Sequence, residues 1–223
     1  SIAITGAAYD YAQLAVTNRV LAFGNVRKGG ALADQKLSFA NTLVTDANFQ
    51  DALEVATSAN NAKLTATGAR VLAGAAGDLT VAASTATAGT LADALTVALT
   101  SKAAAAGLTD LALASKSVAV TGAAYDLAKA DLSTTTLTLG NVRVADVATV
   151  DVTNTVITNA LYQDKLDVAA SGTNANLTVT SPARVAAGTT GQIGVTAAKA
   201  GVLDDTVSVG LTSNANGVLG LTN

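Results

Sequence analysis

Few side chains in this sequence can do chemistry, and their patterns point away from catalysis. His, Cys, Met and Trp are all absent. Without His or Cys, no Ser-His-Asp or Cys-His nucleophile can be assembled. The common zinc ligand sets and thiol chemistry drop out with them. Carboxylates remain as candidate ligands: Asp46 with Asp51, and the adjacent pair Asp204-Asp205. Calcium requires roughly six to eight converging oxygens, and neither group has EF-hand or Gly-Asp repeat spacing. Both are expected to be solvated loop acids, with no metal and no cofactor. An intramolecular Lys–Asn crosslink would need a buried carboxylate, but Glu54 is exchanged for Asp167 in the second half of the chain. Gly24-Asn25 and Gly140-Asn141 each precede Val-Arg without a phosphate-loop pattern, and read as turns. Arg27 and Arg143, like Arg70 and Arg184, recur at equivalent places and are expected to clamp turns or sheet ends. Asn176-Leu177-Thr178 matches a glycosylation acceptor. No enzymatic activity is expected.

Bulk properties narrow the partners. A net charge of −3 and a pI near 4.7, with basic residues scattered, argue against nucleic acid. No long apolar span is present, so membrane insertion is not expected. Half of the residues are apolar, but only four Tyr and three Phe are aromatic. Any core must therefore be built from Val, Leu, Ile and Ala.

Internal repetition gives the domain organisation. SIAITGAAYD at residues 1–10 returns as SVAVTGAAYD at residues 117–126, with eight of ten positions identical. LAFGNVR at 21–27 returns as LTLGNVR at 137–143, and FQDALEV at 49–55 as YQDKLDV at 162–168. ARVLAG at 69–74, TVALTS at 96–101 and GLTDL at 107–111 recur as ARVAAG at 183–188, SVGLTS at 208–213 and GVLGL at 217–221. The order is constant and the offset drifts only from 116 to 110, as loop insertions between two copies of one fold would produce.

Within each copy the periodicity is that of strands. Alternating or β-branched runs lie at residues 15–23, 32–40, 52–56, 63–67, 78–83 and 91–100, punctuated by Gly, Asn, Asp and Ser. The Ala-rich stretch 102–107 could form one helical turn. Elsewhere Ala alternates with Val, Leu and Thr, a period of about two rather than 3.6. The spacing predicts an all-β chain of two tandem immunoglobulin-like β-sandwich domains.

LAFGNVR, a strand ending in Asn41-Thr42, a Gly-containing turn before TVAAS, then AGT and TVALTS together carry a family resemblance. This order resembles the repeats of bacterial extracellular choice-of-anchor D proteins, which are similar to the ASPM-SPD2-Hydin class of Ig-like domains. The resemblance implies an Ig-like sandwich, an exported or cell-surface protein, and no enzymatic activity. It also implies that the VTG strand closes a domain as its last strand. One departure is that a proline near the turn before the fifth strand occurs only in the second half, as Pro182.

On that register, residues 11–126 form a complete first domain, and residues 127–223 form a second domain lacking its last strand. Residues 1–10 stand in front as a spare copy of that strand. A sandwich lacking an edge strand exposes an apolar groove and unpaired backbone groups. Ser1, Ile2, Ala3, Ile4, Thr5, Gly6, Ala7 and Ala8 are expected to be donated to a neighbouring molecule, with Val218, Leu219 and Leu221 marking the acceptor end. Such a contact is head-to-tail, so repetition gives an open filament of one chain type, extracellular and pilus-like. If the VTG strand instead opens each domain, residues 1–114 and 115–223 are both complete and nothing need polymerise. A two-repeat segment of a long surface stalk or adhesin is the other alternative. A carbohydrate- or protein-binding module would show clustered aromatics, and Tyr9, Tyr11, Tyr125 and Tyr162 do not cluster in sequence.

Overall fold

The computed structural model describes residues 1–16 and 20–223. Strands make up 49% of the chain and helix 3%, so the protein is all-β and sandwich-like. Its helical content lies in single 3-10 turns at Ala47–Phe49 and Ala160–Tyr162. Residues 103–107 form an open bend and turn instead of the helical turn that their alanines suggested.

The chain folds as two compact units. The first holds Ser1–Gly24, Ala31–Thr85 and Thr90–Ala123; the second holds Asn25–Gly30, Ala86–Gly89 and Ala124–Asn223. In chain order the strands are β1 (Leu14–Val16), β2 (Val20–Arg27), β3 (Gln35–Asn41), β4 (Ala52–Ser58), β5 (Leu64–Ala66) and β6 (Ala69–Val71). There follow β7 (Ala76–Ala83), β8 (Gly89–Thr90), β9 (Asp93–Lys102) and β10 (Leu111–Tyr125). Next come β11 (Ala130–Leu132), β12 (Val147–Asn154), β13 (Lys165–Ser171), β14 (Leu177–Thr180), β15 (Thr190–Ala197) and β16 (Ser208–Asn214). The run expected at 15–23 maps to β1 and β2, and its residues 17–19 lie outside the described residues.

One sheet of the first unit has the order β1-β3-β7-β5, and the other β2-β10-β9-β4-β6. Alternation decides which face is buried. Leu37 and Phe39 of β3 and Leu95, Val97 and Leu99 of β9 all point inward, against Leu21, Leu53, Leu79 and Val81. A slip of one residue would turn that whole set to solvent. Val118 and Val120 of β10 complete this core at 2% exposure each. Their burial contributes about 1.5–3 kcal/mol per side chain.

The second unit repeats the first sheet as β11-β12-β15-β14, in the same register: Val150 faces Ile193 as Leu37 faces Leu79. Its other sheet contains only β13 and β16. A single bridge from Leu166 to Val185 stands where β6 pairs β4. Residues 137–143, which repeat most of β2, form no strand.

Candidate functional site

The difference between the two units is concentrated in one place. In the first unit β10 pairs antiparallel with β9, setting Val118 opposite Leu95 and Val120 opposite Asp93. In the second unit the counterparts of Leu95 and Asp93 are Val207 and Asp205, which belong to no strand. β16 begins only at Ser208, so it lacks the counterparts of Asp93, Ala94 and Leu95, which in β9 pair with Val120, Ala119 and Val118. A strand holds its extended conformation through its ladder partners, and among the described residues β16 pairs with β13 alone.

The corresponding place in the second unit is a groove. A cavity of about 490 Å³ opens between the sheets of the second unit, floored by Val150, Leu177, Ile193 and Val195 and flanked by Leu137, Leu139, Val207 and Val209. Their counterparts Leu37, Leu64, Leu79, Val81, Leu21, Phe23, Leu95 and Val97 are all buried around Val118 and Val120 in the first unit. The buried cluster of the second unit is reduced to Val152, Leu166, Val168, Val185 and Ile193. A space of this size falls within the roughly 300–1,000 Å³ of small-molecule pockets. Its duplicate, however, is filled by aliphatic side chains of a strand. Asp205, the one carboxylate at the rim, is already committed: it accepts from Thr173 N at 2.8 Å, Asn174 N at 3.0 Å and Thr173 Oγ1 at 2.9 Å. Those bonds, the Asn174 amide first, hold its carboxyl below the ordinary 3.8.

Residues 1–8, the sequence copy of 117–124, are exposed throughout and pair with no strand among the described residues. Ile2 and Ile4 are 91% and 92% exposed, where Val118 and Val120 are 2%. Ala7 and Ala8 are likewise bare, while Ala123 and Ala124 are buried. Val218, Leu219 and Leu221 do not line the groove. They lie in two tight turns, closed by Val218 N to the Ala215 carbonyl and Leu221 N to the Val218 carbonyl, with Leu219 87% exposed.

Glycine supplies a second link between the two places. Gly122 has φ +144° and packs so tightly on β2 that a Cβ there would lie 2.6 Å from the Gly24 carbonyl oxygen and 3.1 Å from Phe23 Cβ. Its copy, Gly6, has nothing within 4 Å. Gly24 and Phe23 repeat in the second unit as Gly140 and Leu139, beside the groove.

A buried polar network recurs in both units and had no counterpart in the sequence reading. Asn41, wholly buried, accepts from Gln13 N at 2.9 Å and Gln50 Nε2 at 3.1 Å, and donates to the Asp51 carbonyl at 2.9 Å. Asn154 does the same with Lys129 N, Gln163 Nε2 and the Asp164 carbonyl. Ser101 Oγ donates to Asp51 and Ser213 Oγ to Asp164, at 2.8 and 2.7 Å. The network ties strand ends together in both units. Of the other acidic candidates, Asp46 caps the first 3-10 turn by accepting from Asn48 N at 2.9 Å. Arg184 clamps Asp167 at 2.6 Å, as expected of a sheet-end arginine. Asn176 immediately precedes β14 and donates to the Val202 carbonyl at 3.1 Å.

Compared with known proteins, the chain matches no protein family and no curated protein. Among solved structures it is similar to the YadV chaperone, at 11% identity over 89% of this chain and 92% of that one. The TM-score is 0.35.

Proposed function

We propose that this chain is a structural subunit of two immunoglobulin-like domains, and that copies assemble head-to-tail into an extracellular filament. Residues 1–8 of one molecule enter the second unit of the next as an added strand, as in donor-strand complementation. One observation carries the reading: Val118, Val120, Ala123 and Ala124 of β10 are core, their sequence counterparts Ile2, Ile4, Ala7 and Ala8 are bare, and the second unit holds an open groove of matching chemistry. Ile2 takes the place of Val118 and Ile4 that of Val120. About six ladder hydrogen bonds, worth roughly 1 kcal/mol each, add to the apolar burial. The contact is heterologous and does not close on itself, so it propagates. No catalytic step is part of this reading; the work is mechanical and adhesive.

Electron microscopy and sizing of the purified chain test the proposal. The native chain is expected to form fibres. Ile2→Asp combined with Ile4→Asp brings two charges to an apolar groove, at a cost of several kcal/mol. That variant is expected to stay monomeric with the melting of the first unit unchanged, because nothing in that unit leans on residues 1–8. A copy of residues 114–125 appended after Asn223 is expected to fill the groove in cis and give a soluble monomer, favoured by the roughly millimolar effective concentration of a short tether. A native chain that remains monomeric at every concentration, or a double variant that polymerises normally, would refute the reading.

A further inference from the structure

Within the second unit, residues 25–30 are seated on the residues that follow β10. Arg27 Nη1 pairs with Asp164 Oδ1 at 2.5 Å, and its Nη2 donates to the Thr222 carbonyl at 2.6 Å. Lys28 N donates to the Tyr125 carbonyl at 2.9 Å, and the Lys28 ammonium lies 3.6 Å from Asp126. Asp164 and Asp126 are each 3% exposed under this cover.

Most of these groups have duplicates that are not joined to one another. Arg27 recurs as Arg143, Asp164 as Asp51, and Tyr125-Asp126 as Tyr9-Asp10. Arg143 is exposed; its N–H donates to Asp146 Oδ2 at 2.8 Å and its carbonyl accepts from Asp146 N at 3.1 Å. Asp51 is a carboxylate 4% exposed, bonded by Ser101 Oγ and by Ala104 N at 3.0 Å, with no ion pair among the described residues. Asp10 is half-buried where Asp126 is buried. The local frame beneath is conserved between the copies: Asp10 N donates to the Phe49 carbonyl and Asp51 N to the Asp10 carbonyl, as Asp126 N does to Tyr162 and Asp164 N to Asp126. Each carboxylate oxygen accepts about two hydrogen bonds, so Asp51 Oδ1 has room for a donor beside Ala104 N–H.

We infer that the 141–144 loop of one molecule docks on Tyr9, Asp10 and Asp51 of the molecule whose strand it receives, with Arg143 pairing with Asp51 and Val144 N–H donating to the Tyr9 carbonyl. The inference rests on the strand-donation reading, because Tyr9 and Asp10 follow the donated strand directly, as Tyr125 and Asp126 follow β10. The contact is a second-copy interface that supplements the groove. It differs from its intramolecular template in two of the contacts: Val144 replaces Lys28, so the ion pair to the Asp126 equivalent is lost, and Ala112, within β10, stands where Thr222 accepts from Arg27.

Arg143→Asp tests the inference when two measurements are made together. The first is the critical concentration for fibre formation. The second is the affinity of a synthetic SIAITGAA peptide, which lacks Asp51, for chains carrying Ile2→Asp and Ile4→Asp, with and without Arg143→Asp. A charge-assisted hydrogen bond to a buried carboxylate corresponds to about a 10- to 100-fold effect. The expected result is a critical concentration raised by that factor, while the peptide binds both chains equally. Fibres that form normally from Arg143→Asp, with the peptide still bound, overturn the docking contact and leave strand donation standing. A peptide bound more weakly by the Arg143→Asp chain also overturns the contact, since it places Arg143 at the groove itself. A peptide that binds neither chain overturns strand donation and the contact together.

Discussion

Gly6 and Gly122 occupy the same place in two copies of one strand, so the same substitution at each is expected to act on different processes. A Cβ at Gly122 would meet the Gly24 carbonyl oxygen at 2.6 Å and would sit on a backbone at φ +144°. The conformational strain is about 1–3 kcal/mol. Displacing a packed neighbour adds about 1–3 kcal/mol. Gly122→Val is therefore expected to destabilise the first unit by about 2–6 kcal/mol, read as an early melting transition. Gly6 has nothing within 4 Å, so Gly6→Val should leave every melting transition of the unassembled chain in place. Strand insertion would bring that valine against Gly140 and Leu139 and impose the same penalty there. At about 1.4 kcal/mol per decade, subunit affinity should fall by roughly one and a half to four orders of magnitude. Sizing across a concentration series, with calorimetry on the same samples, reads both effects. Gly6→Val fibres as stable as native ones would refute insertion in the β10 register, and a Gly122→Val chain that melts normally would refute the packing argument itself.

Asn41→Ala removes the hub of a fully buried network and leaves Gln13 N–H, Gln50 Nε2 and the Asp51 carbonyl short of partners. Stranding buried polar groups costs about 1–3 kcal/mol each. A loss near 3 kcal/mol lowers the melting temperature of a domain of about 100 residues by roughly 12–24 °C. A change of a degree or two in calorimetry would show that the network is redundant. Asp93 and Asp205 are held below the ordinary carboxylate value of 3.8, first by the main-chain N–H of Asn61 and of Asn174 respectively. A depressed folded value means the stabilisation is fully present above the ordinary value and is lost as pH falls through the folded one. Asp93→Asn and Asp205→Asn should therefore lower melting temperatures at neutral pH, and the difference from the native chain should vanish near pH 2, the opposite trend counting against these caps.

The duplicated architecture was legible because the repeats preserve order and because Ile2, Ile4, Val118 and Val120 alternate at strand period. The lining of the groove was not. The sequence marks only the end of the acceptor unit, at Val218, Leu219 and Leu221, and does not say which residues line a groove. β10 instead sits between β9 and β2, and β2 is almost a hundred residues away in sequence. Pairing that distant depends on how the sheets close, which periodicity does not record. The Asn41 and Asn154 hubs were hidden for a different reason. Asn beside Thr at a strand end reads as a turn, and burial appears only when the 3-10 turn brings Gln50 or Gln163 back against it. The identical Gln-Asp pair in both copies, residues 50–51 and 163–164, was the available signal.

The irregular backbone at residues 137–143 would give the proposed assembly a means of turnover. Exposed chain outside regular structure is where proteases cut first. In an unassembled subunit this segment is open to a protease; in a fibre it would lie beside an inserted strand, as β2 lies beside β10. Surplus or misassembled subunits would then be degraded while polymerised ones survive, so the lifetime of each molecule would depend on whether it has a successor.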